Sequence, residues 1–149
     1  MFRFSMQTAL DVRGKQERVK MKEMAERLAV QQGIEAGIAK IDQALIDADQ
    51  KMNLAKRSGL LDLGSLRQIE GFKYRSKVER GRLEAKHKEA VRATEVKRLE
   101  LIEAARRRRT LEILRDREEG RYTEHLARIE RAFVDETATN QFVQRQRQA

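Results

Sequence analysis

Apolar residues recur along the first part of the chain at alternating intervals of four and three positions. The series runs without a fault through Ile34, Ile38, Ile41, Leu45, Ala48, Met52 and Ala55. Such spacing places the apolar side chains on one face of a long helix, as in a coiled coil. Met21, Met24 and Leu28 extend the series upstream, with a slip of register predicted between Leu28 and Ile34. The pattern predicts a first helical arm over residues 5–57.

Turn-forming residues are confined to one stretch, RSGLLDLGSLRQ. Gly59 is suited to the left-handed conformation that ends many helices, and Gly64 allows the chain to change direction. Ser65 and Gln68 have the spacing of a capping box, in which the serine side chain accepts a hydrogen bond from the amide three residues later. We therefore expect a turn over residues 58–65.

A second apolar stripe follows the turn, and its intervals include more steps of four than a regular heptad has. The stripe consists of Leu66, Ile69, Phe72, Val78, Leu83, His87, Ala90, Val91, Leu101, Ala104, Arg108, Leu111, Leu114, Glu118, Tyr122, Leu126, Ile129 and Phe133. Acidic residues also precede basic residues by about one helical turn, an order that stabilises a helix. These pairs are Glu84–Lys88, Glu103–Arg107, Glu112–Arg115 and Glu124–Arg128. The pattern predicts a second helical arm over residues 66–143.

Two long helices joined by a short turn bury their apolar stripes by packing against each other in antiparallel order. The sequence therefore predicts an all-α fold, a long antiparallel two-helix coiled coil in the form of a helical hairpin. We expect a single domain over residues 1–149, in which the longer second arm overhangs the N-terminus. The apolar stripe on that overhang has no partner within the hairpin, so either the ends fold back on each other or another protein covers them.

The composition is that of an elongated helical protein and not of a compact globule. Charged residues make up 38% of the chain and aromatic residues 5%, and proline, cysteine and tryptophan are absent. Without proline nothing interrupts a long helical backbone, and without cysteine there is no disulfide framework. The N-terminal sequence is too short and too polar for a signal peptide, and no apolar run approaches the roughly 18 residues that span a bilayer. We expect a cytoplasmic protein with no direct membrane insertion.

The formal net charge of +9 and the run of four arginines, Arg106–Arg109, suggest nucleic acid as one candidate partner. A helix distributes four consecutive residues over about 300°, however, so the run forms no single basic stripe. Arg108 falls on the predicted seam, where Glu17 is its expected partner across the antiparallel register. Arg107 has Glu103 one turn earlier. We interpret the run as part of the coiled coil and expect no nucleic-acid partner.

The chain lacks the residue patterns of an enzyme or a metal site. His87 and His125 stand apart from cysteine or carboxylate clusters, and the glycines form no phosphate-binding loop. A two-helix rod also offers no concave pocket in which to position paired carboxylates. We therefore expect no enzymatic activity, no cofactor and no metal.

Bulky apolar residues gather close to the turn. Two helices cannot bury Phe72, Tyr74 and Val78 together. These residues either close the tip of the coiled coil or form an exposed patch, and exposed apolar patches commonly bind a partner.

Both ends of the chain resemble those of one family. The opening FRFSMQTALDVRGKQE, with Phe2, Phe4, Leu10, Arg13 and Glu17, resembles the start of the FliJ family of flagellar type III export proteins. The stretch RRTLEILRDREEGRYTEHLARIERAFVDETA resembles the C-terminal segment of the same family. Its matching residues are Leu111, Glu112, Leu114, Arg117, Tyr122, Glu130, Asp135 and Glu136. The resemblance covers the chain in length and layout.

The resemblance implies an antiparallel coiled coil similar to that of the gamma subunit of rotary ATPases. It implies a non-enzymatic stalk that inserts into the hexameric export ATPase, promotes its assembly and activity, and couples it to the cytoplasmic domain of the export gate and to export chaperones. The expected location is the cytoplasm, peripherally associated with the inner-membrane export apparatus. The residues expected to bind the ATPase are Phe4, Leu10, Arg13, Glu17, Leu111, Glu112, Leu114, Arg117, Asp135 and Glu136. The residues expected to form the gate-binding tip are Phe72, Tyr74 and Val78.

Two other functions remain open from the residues alone. A basic coiled coil of this charge is a candidate for binding nucleic acid through its arginine run. A long helical hairpin is also suited to a purely structural role, as a coiled-coil linker or chaperone.

Overall fold

The structure, a computed structural model, describes residues 1–59 and 62–148. Within these residues the chain forms two α-helices, α1 (Gln7–Ser58) and α2 (Leu63–Gln148), and no β-strand. The helices have 52 and 86 residues and pack against each other in antiparallel order. The predicted all-α fold, a two-helix coiled coil in the form of a hairpin, is confirmed.

The ends of α1 are set by local hydrogen bonds and by one glycine. Gln7 donates its backbone N–H to the carbonyl of Phe4 at 3.3 Å, and the helix begins there, two residues after the predicted start. At the other end Gly59 has a φ of 67°, a left-handed conformation that a residue with a side chain rarely adopts. The predicted role of Gly59 as the residue that ends the first helix is confirmed.

The start of α2 differs from the predicted capping box. The capping residue is Asp62, whose carboxylate accepts the backbone N–H of Ser65 at 2.5 Å. That hydrogen bond lowers the pKa of Asp62, as expected for an anion at a helix N-terminus. The prediction of Ser65 as the cap, with Gln68 reaching back, is therefore wrong. Aspartate competes with serine as a capping residue, and here its position three residues earlier places Gly64 inside the first turn of the helix.

The seam of α1 is an unbroken heptad from Leu10 to Ala55. Its upstream positions are Leu10, Arg13, Glu17, Lys20, Met24, Arg27 and Gln31, followed by the predicted series from Ile34. All of these side chains except Arg27 are buried or half-buried. The predicted slip of register is wrong, because it followed Met21 and Leu28, which lie beside the seam with exposed side chains. Charged residues occupy the seam instead.

The seam of α2 is equally regular. Its positions are Leu66, Ile69, Lys73, Ser76, Arg80, Leu83, His87, Ala90, Thr94, Lys97, Leu101, Ala104, Arg108, Leu111, Arg115, Glu118 and Tyr122, all buried or half-buried. Nine of these seventeen positions hold polar or charged residues, Tyr122 not included. The predicted excess of steps of four is wrong, because Phe72, Val78, Val91 and Leu114 lie off the seam with exposed side chains.

Two of the four predicted pairs along α2 form. Arg107 Nε lies 3.0 Å from Glu103, and Arg128 lies 3.6 Å from Glu124. The other two acidic residues, Glu84 and Glu112, pair with an arginine one turn earlier in the chain. These pairs are Glu84 with Arg80 and Glu112 with Arg108, while Arg115 pairs with Asp116. The earlier arginines stand on the seam, where a cation needs carboxylate partners.

The contacts of the chain divide it into two compact units. Unit 1 consists of Met1–Glu17 and the chain from Glu103 onward, and unit 2 consists of Arg18–Ile102. Unit 1 buries Phe4 and Leu10, each 8% exposed. Unit 2 buries Ala48 and Met52, which belong to the predicted apolar series. The single domain over residues 1–149 and the bounds drawn within it stay a prediction.

Close packing in unit 2 involves one glycine of α1. A Cβ atom added at Gly37 would lie 3.4 Å from Leu83 Cδ1 on α2. The helices therefore approach each other closely at this level, between the seam residues Ile34 and Ile38.

We expect Ile41→Ala to destabilise the coiled coil by about 1 to 2 kcal/mol. This is less than the roughly 2 to 5 kcal/mol typical of a fully buried isoleucine, because Ile41 is only half-buried on the seam. Ile46→Ala is the matched control, and it should cost less than about 0.5 kcal/mol because Ile46 is exposed. Urea denaturation followed by circular dichroism measures both values, and equal losses would contradict the seam.

Candidate functional site

Polar contacts join the two helices of unit 2 at intervals of one heptad. The pairs are Lys73 Nζ–Asp49 Oδ1 at 2.7 Å, Arg80 Nε–Asp42 Oδ1 at 2.6 Å and His87 Nε2–Glu35 Oε1 at 2.7 Å. We call these three pairs the interhelical ladder. Residue numbers rise along α2 as they fall along α1, so the ladder defines the antiparallel register. The hydrogen bond from Lys73 lowers the pKa of Asp49, and the hydrogen bond with His87 lowers the pKa of Glu35.

Four charged side chains form a closed ring further along unit 2. Lys20 Nζ lies 3.1 Å from Glu23 and 2.8 Å from Glu100. Lys97 Nζ lies 2.9 Å from Glu23 and 3.0 Å from Glu100. Each lysine therefore contacts both glutamates, and the signs alternate around the ring. We call this ring the lysine–glutamate quartet, and its two lysines occupy seam positions next to the half-buried Met24 and Leu101.

Hydrogen bonding within the quartet shifts all four pKa values in the directions expected for ion pairs. The pKa of Lys20 is raised chiefly by Glu100, and the pKa of Lys97 chiefly by Glu23. The pKa of Glu23 is lowered chiefly by Lys97, and the pKa of Glu100 chiefly by Lys20. The charged form of every member is favoured in the folded chain.

The quartet specifies the register more strictly than the ladder does. A slip of one heptad would leave two of the three ladder residues opposite another carboxylate of the series, and would place the third opposite Leu28 or Lys56. The same slip would place Gln16 or Val30 opposite Lys97, in place of Glu23. Each half-buried lysine would then keep only the glutamate of its own helix and lose the one on the facing helix, so its desolvation would be less fully compensated. The charged seam therefore selects one alignment of the two helices, although each exposed pair contributes little stability.

The arginine run lies in unit 1 and is largely paired within the chain. Arg108 donates Nε–H to Glu17 on the facing segment and Nη1–H to Glu112 on its own helix. Arg109 lies 3.2 Å from Glu112, and Arg107 pairs with Glu103. The predicted partners of Arg107 and Arg108 are confirmed. Three of the four arginines at 106–109 are thus engaged with carboxylates, which leaves little of the run for phosphate groups.

Aromatic packing closes the N-terminal part of unit 1. The rings of Phe2 and Tyr122 have centroids 5.7 Å apart, and Phe4 is buried. Tyr122 is also the last half-buried position of the α2 seam. The N-terminal segment therefore covers α2 as far as Tyr122.

An apolar surface of α2 continues beyond Tyr122 without cover from the described residues. Leu126, Ile129 and Phe133 follow at helical spacing, and all three are exposed, Phe133 to 69%. We call these three residues the overhang stripe. The described residues do not fold back over it, and cover by another protein, the other alternative expected from the sequence, stays a prediction.

Nine of the ten residues expected to bind an ATPase fall into two groups in unit 1. Five pack or pair within the unit, namely Phe4, Leu10, Glu17, Leu111 and Glu112. Four are exposed, namely Leu114, Arg117, Asp135 and Glu136. Arg13 is half-buried, and its Nη1 donates to Gln16 at 2.9 Å. Within the first group, Glu17 pairs with Arg108 across the two segments, whereas Glu112 pairs with Arg108 and Arg109 on its own helix. The second group is available to a partner.

The residues expected at the gate-binding tip do not form one cluster. Phe72 and Tyr74 lie about 200° apart around α2 at the usual 3.6 residues per turn. Phe72 lines a groove of about 440 Å³ between the two helices. The other residues around the groove are Ala44, Asp47, Ala48, Lys51, Gln68, Ile69 and Arg75. Tyr74 and Val78 are four residues apart and share the opposite, outer side of α2.

Tyr74 and Val78 belong to a second regular stripe, which was not predicted from the sequence. It consists of Gly71, Tyr74, Val78, Gly81 and Ala85, spaced by alternate steps of three and four. We call it the outer stripe. Tyr74 is 71% exposed, and nothing lies within 4 Å of a Cβ atom added at Gly81. The alternate spacing of three and four residues is visible in the sequence. It indicates a separate stripe only once the seam of α2 has been assigned to other residues.

Other kinds of site receive no support from the described residues. Among residues 1–59 and 62–148, no group of three or more histidine, cysteine, aspartate or glutamate side chains could hold a metal ion. In the same residues neither helix contains a stretch long and apolar enough to cross a membrane.

We expect the stability of the coiled coil to fall at both low and high pH. The glutamates of the quartet have lowered pKa values, so their stabilising effect is complete above the ordinary value of 4.5 and is lost as the pH falls through the lowered values. The lysines have raised pKa values, so their effect is complete below 10.5 and is lost as the pH rises through the raised values. Thermal midpoints from circular dichroism should form a plateau between about pH 6 and pH 9.

A pair of double variants separates the quartet from the general effect of protonation. Glu23→Gln with Glu100→Gln removes the two carboxylates of the quartet, which lose their stabilising effect when they are protonated. The thermal midpoint of this double variant should therefore fall less between neutral and acidic pH than that of the unaltered chain. Glu26→Gln with Glu89→Gln removes two exposed glutamates, and its thermal midpoint should fall at acidic pH as much as that of the unaltered chain. Identical acid profiles for the two double variants would contradict the assignment.

Comparison with known proteins identifies the family. The family model for the flagellar FliJ protein matches residues 2–147. No curated protein and no solved structure matches the chain. The family match spans nearly all of α1 and α2, including the seams, the quartet and both exposed stripes. The chain therefore belongs to the FliJ family, whose members are non-catalytic components of the flagellar protein export apparatus.

Proposed function

We propose that this protein is the central stalk of the hexameric flagellar export ATPase. It has no catalytic role of its own. The end of the chain that carries both termini inserts into the ATPase ring, promotes assembly of the hexamer and raises its turnover. The protein also links the ring to the cytoplasmic domain of the export gate and to export chaperones, in the cytoplasm beside the inner-membrane export apparatus. Membership of the FliJ family and the antiparallel two-helix coiled coil support this proposal.

The overhang stripe is the observation that carries the proposal. Exposed apolar residues at regular helical spacing commonly mark a protein contact. Leu126, Ile129 and Phe133 lie on the part of α2 that the N-terminal segment leaves uncovered. An ATPase subunit that covers this stripe would complete the packing that the chain itself does not supply.

The ten residues expected at the ATPase take different roles in this proposal. Leu114, Arg117, Asp135 and Glu136 contact the ATPase directly, because their side chains are exposed. Arg13 contributes from the facing segment. The remaining residues keep the two segments of unit 1 together and so hold the contact residues in place. These residues are Phe4, Leu10, Glu17, Leu111 and Glu112.

The chemistry of the surface suits a shaft inside a ring that cycles through several states. Exposed ion pairs contribute roughly 0 to 1 kcal/mol each. Contacts of that strength are exchanged readily as the ring changes conformation, whereas a continuous apolar surface would hold one state. A stalk of this kind biases the ring through contacts that differ between its states.

The gate contact is assigned to the outer stripe. Tyr74 and Val78 share the outer side of α2, and the small residues Gly81 and Ala85 continue the same side. Small side chains allow a partner helix to approach closely. Phe72 lines the groove on the other side of the helix and is therefore a separate contact point.

Two matched aromatic substitutions test the proposal. Phe133 and Tyr74 have nearly equal exposure, 69% and 71%, so replacing either by serine should leave the helices intact. Phe133→Ser should raise the concentration needed for half-maximal stimulation of ATP turnover about tenfold, as expected for loss of one aromatic anchor. Tyr74→Ser should leave that stimulation unchanged and weaken binding to the cytoplasmic domain of the gate.

Each variant serves as the control for the other, and circular dichroism checks that both remain helical. The unaltered protein should raise both the hexamer content and the turnover of the purified ATPase. No change in either quantity at saturating amounts would overturn the proposal. Equal effects of the two variants on ATP turnover would overturn the assignment of separate surfaces.

A further inference from the structure

The end of unit 2 at the connection between α1 and α2 carries two exposed leucines. Leu54 lies in the last turn but one of α1 and is 65% exposed. Leu63 is the first residue of α2 and is 76% exposed. Neither belongs to a seam, to the outer stripe or to the groove beside Phe72. None of the functions proposed for the other surfaces involves Leu54 or Leu63.

Basic residues lie close to these leucines in the sequence. Lys51, Lys56, Arg57 and Arg67 are all exposed, and they stand within one or two turns of the connection. We call the four cations and two leucines the turn-end surface.

The nearby carboxylates neutralise this surface only in part, since Asp49 also interacts electrostatically with Lys56. Asp62 accepts the backbone N–H of Ser65 and caps α2. Asp49 pairs with Lys73 at 2.7 Å, and Glu70 lies 3.7 Å from the same lysine. The segment 51–67 contains four basic residues and one acidic residue, a net charge of +3. The end of the unit therefore combines a positive net charge with two exposed leucines.

We propose that the turn-end surface adsorbs to the headgroup region of an anionic lipid bilayer. Lysine and arginine side chains near an acidic membrane surface are attracted to its negative potential. Exposed aliphatic side chains among such cations gain burial at the boundary between headgroups and acyl chains. The contact is peripheral, because neither helix in the described residues could span the bilayer.

Leucine and lysine together favour a lipid surface over the other anionic partners. Nucleic acid would engage the cations, but it offers the leucines no apolar environment, and its bases stack on aromatic side chains. An acidic protein would need a shaped recess or an apolar ridge against Leu54 and Leu63. The groove beside Phe72 in unit 2 is lined by neither Leu54 nor Leu63. A bilayer needs no shape complementarity.

The proposal does not depend on the stalk function. Its residues differ from the overhang stripe in unit 1 and from Tyr74 and Val78 on the outer stripe. Adsorption through two leucines and four cations should be weak, reversible and sensitive to salt, because a single modest anchor rarely holds a protein on a membrane.

Sedimentation with vesicles tests the proposal on the full chain. We expect binding to phosphatidylcholine vesicles that contain a quarter phosphatidylglycerol, weaker binding at high salt and none to phosphatidylcholine alone. Lys56→Gln with Arg57→Gln should lower the partition coefficient about 30-fold, since each cation near the surface strengthens binding about fivefold. Leu54→Ser with Leu63→Ser should lower it severalfold.

Two controls make the result specific. Arg145→Gln with Arg147→Gln removes the same charge from exposed positions near the other end of α2 and should leave vesicle binding unchanged. Tyr74→Ser should also leave it unchanged, which separates the membrane contact from the gate contact.

Several results would overturn the proposal. Vesicle binding that does not depend on phosphatidylglycerol would do so. Equal losses of vesicle binding in the Lys56→Gln/Arg57→Gln variant and in the Arg145→Gln/Arg147→Gln variant would do so as well. Unchanged binding of the leucine variant would also overturn it, because charge alone would then explain the adsorption. Binding of a DNA oligonucleotide through Lys56 and Arg57, without vesicle binding, would assign the surface to nucleic acid instead.

Discussion

Four cations on the seam of α2 pair with a carboxylate on the facing helix, and these pairs constrain how the two helices align. Lys73, Arg80 and Lys97 of α2 pair with aspartate or glutamate residues of α1 in unit 2. Arg108 pairs with Glu17 in unit 1. A slipped alignment would separate these half-buried cations from the facing carboxylates and leave each one only the glutamate of its own helix. The loss of free energy in a wrong register therefore matters more than the modest gain from each correct pair. The charges act chiefly by specifying one structure.

The same charged seam explains why so much apolar surface remains for partners. A seam that contains several lysines and arginines buries few of the large aliphatic and aromatic side chains. Among the described residues, no large side chain is completely buried. Several of those side chains lie elsewhere on the helices, as the overhang stripe of unit 1 and the outer stripe and turn-end leucines of unit 2. A protein that works by contacting other components of an export apparatus has use for such surfaces. The folding constraint and the proposed functions are therefore linked.

The sequence predicted the features that depend on spacing and chain connectivity. The series from Ile34 to Ala55, the left-handed Gly59 and the pair of Arg108 with Glu17 follow from the heptad and from antiparallel geometry. His87, Arg108 and Glu118 were predicted on the seam of α2, but most other polar seam positions, such as Lys73, Arg80 and Lys97, were not predicted, because apolar residues beside the seam imitate it locally. The separation of Phe72 from Tyr74 escaped for the same reason. The start of α2 at Leu63 depended on a competition between two capping residues that the sequence alone does not decide.

Disulfide cross-linking tests the register most directly, since the chain contains no cysteine of its own. A Cβ atom at Gly37 lies 3.4 Å from Leu83 Cδ1, so the two positions face each other. Gly37→Cys with Leu83→Cys should form an intramolecular disulfide rapidly under mild oxidation. Gly37→Cys combined with Ser76→Cys or with Ala90→Cys, each one heptad away, should not. Comparable cross-linking of all three pairs would contradict a single register specified by the charged seam.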